Sequence, residues 1–150
     1  MLTIETVFSE EELNNFISVN ELINFLHTYL DKFGDSKEAI EKCIRYTFSK
    51  ESGKGGFILL GFIDKSLVGA VVMNNTGMSG YIPENVLVYV AVNSNFRNRG
   101  IGGQLVEKAI NTSMGNVKLH VEYDNPAKRL YERLGFENKY AEMRFTKEVK

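Results

Sequence analysis

The sequence is poor in the residues that cross-link small proteins or bind metal ions. Its 150 residues include one cysteine, Cys43, two prolines, two histidines and no tryptophan. A single cysteine cannot form an internal disulfide or a cysteine-rich zinc site. A chain of this length buries enough apolar surface to fold without cross-links. We therefore expect a single domain over residues 1–150 that holds no metal.

Long apolar runs and an excess of charge of one sign are also lacking. No apolar run reaches the ~18 residues that a membrane span requires. Residues 1–13 have neither the basic region nor the apolar core of a signal peptide. The 18 basic and 19 acidic residues give a net charge of −1, whereas domains that bind nucleic acid are usually basic. The sequence thus predicts a cytoplasmic protein that binds neither membrane nor nucleic acid.

Glycine is nearly absent from the first third of the chain, where apolar residues recur at helical spacing. Twelve of the thirteen glycines lie at position 53 or later. Two capping boxes, each a serine followed three residues later by a glutamate, begin at Ser9 and Ser18. They predict one or two helices that end near Gly34. We also expect a short strand over 2–7 and a helix from about 36 to 48.

From residue 57 onward the pattern changes to strands and helices in alternation. Two apolar runs flank a short turn at 64–66 and predict an antiparallel hairpin that is covered on both faces. A helix between the next two strands makes that strand pair parallel. The predicted strands are 57–63, 67–73, 86–92, 117–121 and 141–145, and the predicted helices are 102–112 and 126–134. This order indicates the α+β class.

The segment after strand 86–92 has the features of an anion-binding site. Its residues are Arg97, Asn98, Arg99, Gly100, Ile101, Gly102 and Gly103. A helix N-terminus offers free N–H groups and a positive dipole end. Glycines let a phosphate approach the backbone, and arginines match its geometry. The spacing fits neither the dinucleotide fingerprint nor the Walker loop. The alternative is a turn eased by glycine, with solvated arginines.

Two motifs in this half of the chain resemble those of the GNAT superfamily of N-acetyltransferases. Arg97-x-x-Gly100-x-Gly102 after a strand is similar to the acyl-CoA motif of that family. The downstream segment NPAKRLYERLGF, residues 125–136, is similar to a second family motif at the expected distance. The resemblance implies an α+β fold with a mixed sheet of about six to seven strands and about four helices. A splayed parallel strand pair would form the acyl-CoA wedge.

The resemblance also implies a reaction and a set of cofactor contacts. The family transfers an acetyl group from acetyl-CoA directly to a primary amine, here of a small molecule or a peptide, without a metal. The cofactor contacts carried over are Val90, Ala91, Val92, Arg97, Asn98, Arg99, Gly100, Ile101, Gly102, Gly103, Asn125 and Tyr131. Asn125 is included because the family's usual asparagine position is occupied by Asp124. Dimers are common in the family, so a homodimer is one expectation.

Two side chains are candidates for proton transfer. Tyr131 matches the family tyrosine that protonates the leaving thiolate, and a phenol is protonated at neutral pH. Glu84 is the candidate base for the amine, because alternation would place it on one strand face with Val86, Val88 and Val90. A solvated loop position is the alternative for Glu84. The alternative function is a CoA-binding sensor or interaction module without catalysis, and Tyr131 favours the enzyme.

Overall fold

The computed structural model describes residues 1–148, which form a mixed sheet with helices on both faces. The strands are β1 (Thr3–Val7), β2 (Gly56–Ile63), β3 (Ser66–Asn75), β4 (Asn85–Val92) and β5 (Val117–Leu119). The helices are α1 (Glu10–Asn14), α2 (Val19–Leu30), α3 (Lys37–Thr47), α4 (Ile101–Thr112) and α5 (Ala127–Arg133). The strands lie in chain order, all neighbours being antiparallel except β4 and β5. The α+β class, the antiparallel hairpin and the parallel pair are confirmed.

The N-terminal helices begin where serine capping predicts. The Ser9 and Ser18 hydroxyls each accept a hydrogen bond of 3.1 Å from the backbone N–H three residues later. At Ser18 the glutamate returns the bond, since the Ser18 N–H donates to Glu21 Oε1 at 3.2 Å. This complete capping box starts a new helix. The segment before Gly34 therefore contains two α-helices, α1 and α2.

Each face of the sheet has its own apolar core. Ile58 and Leu60 of β2 pack with α1, α2 and α3 on one face. Phe57 and Leu59 of the same strand pack with α4 and α5 on the other face. Because successive side chains of a strand point to opposite faces, a run that is apolar at every position requires cover on both sides. The predicted double cover is confirmed.

A glycine pair lets α4 lie close to the strands. Gly61 of β2 and Gly69 of β3 are cross-strand partners. A Cβ on Gly69 would lie 2.6 Å from Leu105 Cδ1, and one on Gly61 would lie 3.5 Å from Leu105 Cδ2. Leu105 is fully buried here. The missing side chains make room for α4 and so bring its N-terminus to the end of β4.

The sheet has five strands within residues 1–148, fewer than the six to seven expected, and five α-helices rather than about four. Residues 141–145, which alternation predicts to be a strand, belong to no strand, and Met143 and Phe145 are 90% and 88% exposed. The strand predicted over 117–121 also ends early, at Leu119. Alternation indicates which side chains would share a face, but a strand forms only where a neighbour takes its backbone hydrogen bonds.

Candidate active site

The parallel strands β4 and β5 are paired at one end and then separate. Their three pairs are Asn85–Val117, Val86–Lys118 and Leu87–Leu119. Beyond them β4 has a bulge, because Val72 and Met73 of β3 pair with Tyr89 and Leu87 and leave Val88 without a partner. A bulge bends its strand and re-aims the following side chains. We call Asn85–Leu87 the closed end of β4 and Val88–Val92 its open end.

At the open end, alternate backbone groups of β4 face the gap left by β5. The Asn93 N–H donates to Val68 O of β3 at 2.8 Å. Along an antiparallel strand the backbone groups alternate in direction. The N–H and C=O of Ala91 therefore point to β3, and those of Val90 and Val92 point away from it. Consistent with this, Val92 O accepts a hydrogen bond of 3.2 Å from Arg97 Nε. Of the predicted cofactor residues, Val90 thus offers its N–H and C=O to a ligand and Val92 offers its N–H, whereas the backbone groups of Ala91 face β3.

The turn that follows β4 presents the N-terminus of α4. Asn98 and Gly100 have positive φ values of 64° and 79°. Gly100 is the N-cap of α4 and supplies no side-chain hydrogen bond to it. The N–H groups of Ile101, Gly102 and Gly103 therefore remain available at the positive end of the helix dipole. This arrangement suits an anion such as a pyrophosphate.

The two arginines of the turn contact other residues of the protein and do not point into the space in front of the α4 N-terminus. Arg97 Nη2 donates to Tyr29 O at 2.9 Å, in addition to the Nε bond to Val92 O. Arg97 therefore ties the end of α2 to the end of β4. The Arg99 guanidinium lies 5.1 Å from the centre of the Phe96 ring. The guanidinium of Arg97 thus has a structural role that the motif alone did not predict.

Helix α5 packs against the start of α4. A Cβ on Gly102 would lie 3.4 Å from Leu130 Cδ2, and one on Gly103 would lie 3.5 Å from Leu130 Cδ1. The two glycines therefore let the helices approach each other. α5 begins after Asn125, whose Oδ1 accepts the Ala127 N–H at 2.9 Å. The side-chain oxygen of the predicted cofactor residue Asn125 is thus used to hold the first N–H of α5, and its amide nitrogen is left for other contacts.

Tyr131 lies on the same face of the sheet as α4. It is 8% exposed and packs edge to face with Phe136 at 5.8 Å between ring centres. Burial raises the pKa of Tyr131 to about 12. The hydroxyl therefore keeps its proton throughout the neutral range and can donate it or hydrogen-bond to an anion.

Glu84 lies outside β4, just before the closed end. Its carboxylate accepts the Asn116 N–H at 2.7 Å and the Gly80 N–H at 3.4 Å. These backbone hydrogen bonds, that of Asn116 first, lower the pKa of Glu84 below its ordinary value. The expected shared face of Glu84, Val86, Val88 and Val90 does not form, because the bulge turns Val88 to the α1–α3 core and Val90 to the other core.

Sequence reasoning missed two polar contacts of β4. The Tyr89 hydroxyl donates to Asp35 Oδ2 at 2.5 Å, and Asn85 Nδ2 donates to Met114 O at 2.8 Å and Asn116 O at 3.1 Å. Asp35 and Tyr89 are 54 residues apart, so no local pattern joins them. The polar Asn85 at the start of an apolar run was the one available signal for the second contact.

Residues 1–148 contain no cluster of three or more histidine, cysteine, aspartate or glutamate side chains that could hold a metal ion. None of the helices in this described part has both the length and the apolar character that a membrane crossing requires.

Comparison with known proteins identifies relatives of this fold. The sequence model of the acetyltransferase (GNAT) family matches residues 18–136. No curated protein matches the chain. An aminoglycoside acetyltransferase from an uncultured soil metagenomic sample, in complex with sisomicin, has a TM-score of 0.67 at 17% identity over 99% of this chain and 97% of its own. A GNAT family protein from Streptococcus pneumoniae has a TM-score of 0.69 at 19% identity, over 99% of this chain and 100% of its own. Aminoglycoside N-acetyltransferase AAC(6')-Iy in complex with CoA has a TM-score of 0.68 at 14% identity, over 99% of this chain and 96% of its own.

Proposed function

The chain belongs to the GNAT acetyltransferase family, and we propose that it transfers an acetyl group from acetyl-CoA to a primary amine within a ternary complex. The observation that carries this proposal is the open end of β4 next to the uncapped N-terminus of α4. The open end of β4 has backbone N–H and C=O groups without a strand partner, and the α4 N-terminus has N–H groups that suit an anion. An acyl-CoA has the matching parts, namely amide groups followed by a pyrophosphate.

Backbone groups provide most of the proposed cofactor contacts. Val90 and Val92 would hydrogen-bond to the pantetheine amides as an added strand does. The N–H groups from Asn98 to Gly103 would hold the pyrophosphate, with Arg97 fixing the turn through Val92 O and Tyr29 O. A backbone N–H of the open end would also stabilise the oxyanion that forms on the thioester carbonyl. Asn125 would add a contact through its amide nitrogen.

Direct attack by the amine needs no nucleophile from the protein. The single cysteine supports this, because burial raises the pKa of Cys43 to about 11 and the thiol stays protonated. The amine nitrogen forms a bond to the carbonyl carbon, the C–S bond breaks, and the electron pair leaves with sulfur. Tyr131 would give its proton to that thiolate, and the amine would lose a proton to a base or to water. Glu84 remains the proposed base only through a water, since its oxygens accept backbone N–H bonds.

The acceptor is proposed only as a primary amine. Two of the similar structures are aminoglycoside acetyltransferases, but 14–17% identity supports a common fold and not a common substrate. Antibiotics, amino acids, polyamines and peptide N-termini are all candidates. A cytoplasmic location fits the use of acetyl-CoA. Homodimer formation also stays a prediction, which size-exclusion chromatography tests.

Two measurements test the proposal. We expect CoA to raise the Tm, because a ligand that binds only the folded state stabilises it by about 2.7 kcal/mol at 100 times its Kd. We also expect thiol release from acetyl-CoA that depends on an added amine. Stabilisation without thiol release for any amine would favour the non-catalytic CoA-binding module. The absence of both CoA stabilisation and thiol release would contradict the acetyl-transfer proposal.

A further inference from the structure

One carboxylate on the α2–α3 side of the sheet is held in place and has no role in the mechanism above. Asp35 lies between the end of α2 and the start of α3 and is exposed. Its Oδ2 accepts the 2.5 Å hydrogen bond from the Tyr89 hydroxyl. Tyr89 belongs to the open end of β4 and is 6% exposed. Because the buried ring fixes the direction of its hydroxyl, β4 determines where the Asp35 carboxylate lies.

The negative charge of Asp35 is not neutralised by a salt bridge. Within residues 1–148, no lysine, arginine or histidine lies within salt-bridge distance of it. The Arg144 guanidinium is paired with Glu142 and lies beyond salt-bridge distance of Asp35. Both Glu142 and, at longer range, Asp35 raise the pKa of Arg144. Asp35 therefore offers an oriented negative charge to a cation from solution.

Asp35 and the proposed acyl-CoA contacts lie on different sides of β4. Tyr89 is part of the core formed with α1, α2 and α3, whereas Tyr131 is part of the core formed with α4 and α5. The Asp35 carboxylate lies at the hydroxyl end of the Tyr89 side chain, so the whole length of that side chain separates it from the β4 backbone. A general base must lie within hydrogen-bond reach of its proton, directly or through one water. Asp35 therefore lies too far from the β4 backbone to act as the base, and an acceptor bound at the open end reaches it only with a part remote from the reacting nitrogen.

We propose that Asp35 is a specificity-determining residue that binds a second, non-reacting cationic group of the acceptor, so that the enzyme prefers diamines and polyamines to monoamines. This inference rests on the proposed acetyl transfer. An ion pair made equally in the ground state and the transition state contributes uniform binding. Loss of Asp35 should therefore raise KM for polycationic acceptors and leave kcat largely unchanged.

The test compares wild type with Asp35→Asn on spermidine, 1,5-diaminopentane and pentylamine, with thiol release from acetyl-CoA as the assay. The last two acceptors differ by one terminal ammonium group. We expect wild type to prefer the two polycations in kcat/KM by about tenfold or more, equivalent to about 1.4 kcal/mol. Asp35→Asn should remove the preference through KM, and added salt should narrow it in wild type.

Two variants and one binding measurement serve as controls. Asp64→Asn removes the same charge from the β2–β3 turn, where φ is 49° and asparagine is tolerated, so the preference should persist. Tyr89→Phe keeps the carboxylate but removes its hydrogen-bond donor and should weaken the preference in part. Calorimetry of spermidine with CoA-saturated protein reports binding without turnover. Asp35→Asn should weaken that binding by about tenfold.

The outcomes separate this inference from the proposed function. An equal use of polycations and pentylamine by wild type, or an undiminished preference in Asp35→Asn, overturns the role of Asp35 while acetyl transfer stands. Failure of spermidine to bind the CoA-saturated wild type also overturns it. The absence of both CoA stabilisation and thiol release in wild type instead overturns the proposed function.

Discussion

At its closed end β4 is paired on both sides, to β3 and to β5, whereas at its open end it is paired to β3 alone. The polar groups around the closed end bind one another. Asn85 donates to two carbonyls of the segment before β5, and Glu84 accepts the Asn116 N–H. At the open end, the backbone of Val90 and Val92 faces a gap. One continuous strand is thus paired on both sides at one end, and at the other it has free backbone groups for the ligand contacts that we propose.

The difference between the two ends depends on pairing and not on residue type. Apart from Asn85 both ends carry apolar side chains, and Leu87 of the closed end packs in the same core as Val90 and Val92 of the open end. What separates them is the bulge at Val88, after which β4 and β5 are no longer partners. Changes at the open end should therefore affect cofactor binding and turnover, and changes at the closed end should affect the free energy of unfolding.

The largest effect should follow Tyr131→Phe, on the face that carries α4 and α5. The substitution keeps the ring against Phe136 and removes the hydroxyl. We expect kcat to fall by roughly 10²–10⁴, the usual contribution of general acid catalysis, with little change in CoA affinity. Steady-state kinetics and a CoA thermal shift measure the two quantities. Tyr140→Phe, the same change on a side chain that is 80% exposed, should leave both unaltered. An unchanged kcat in Tyr131→Phe, with chemistry rate-limiting, would restrict Tyr131 to packing.

Gly102→Val should abolish stabilisation by CoA while the free protein still folds. A Cβ here meets Leu130 Cδ2 at 3.4 Å, which is the end of a flexible side chain, but two further methyl groups would occupy the approach to the α4 N-terminus. We expect the stabilisation of about 2.7 kcal/mol at 100 times Kd to be lost. Differential scanning fluorimetry with and without CoA measures it. Gly102→Ala should lose only part of the CoA-induced rise in Tm. Full CoA stabilisation of Gly102→Val would contradict the proposed pyrophosphate site at the α4 N-terminus.

Asn85→Ala should destabilise the protein through the closed end. Asn85 is 4% exposed, and its amide satisfies Met114 O and Asn116 O. Loss of a buried hydrogen-bond partner costs about 1–3 kcal/mol, which urea unfolding would measure. Asn116→Ala retains the carbonyl that Asn85 contacts and serves as the control. If Asn85→Ala instead removed CoA binding from a protein of unchanged stability, the division between the two ends of β4 would be wrong.

The smallest effect should follow Glu84→Gln, and it should depend on pH. Its carboxylate has a lowered pKa in the folded protein, so the charged form stabilises the fold. That contribution is present above the unfolded pKa of about 4.3 and is lost as pH falls through the folded pKa. We expect a slightly lower Tm for the variant at pH 7 and convergence with wild type in acid.

Kinetics of Glu84→Gln also test its proposed role as a base. A structural carboxylate predicts an unchanged kcat/KM at neutral pH. A base predicts a lower kcat/KM, with a deficit that shrinks as pH rises because the amine then arrives neutral. A third outcome, a raised KM with unchanged kcat, would indicate that Glu84 attracts a cationic acceptor, and salt would reduce that attraction in wild type.

Sequence reasoning was accurate where one local feature determines the outcome. The serine caps at Ser9 and Ser18 placed the starts of α1 and α2, and runs without polar residues predicted strands covered on both faces. It was inaccurate where a distant partner decides. Residues 141–145 alternate like a strand but belong to none. Alternation likewise placed Val88 and Val90 on one face, which the bulge separates.

By itself, the sequence determined the order of the elements, the two family motifs and the glycine turn before α4. These depend on periodicity, capping and backbone freedom within a few residues. The tertiary structure alone decided that β4 and β5 separate after Leu87, that Arg97 binds Tyr29 O, and that Tyr89 holds Asp35. These contacts join residues tens of positions apart. Their partners are selected by how helices and strands pack, and no local pattern encodes that choice.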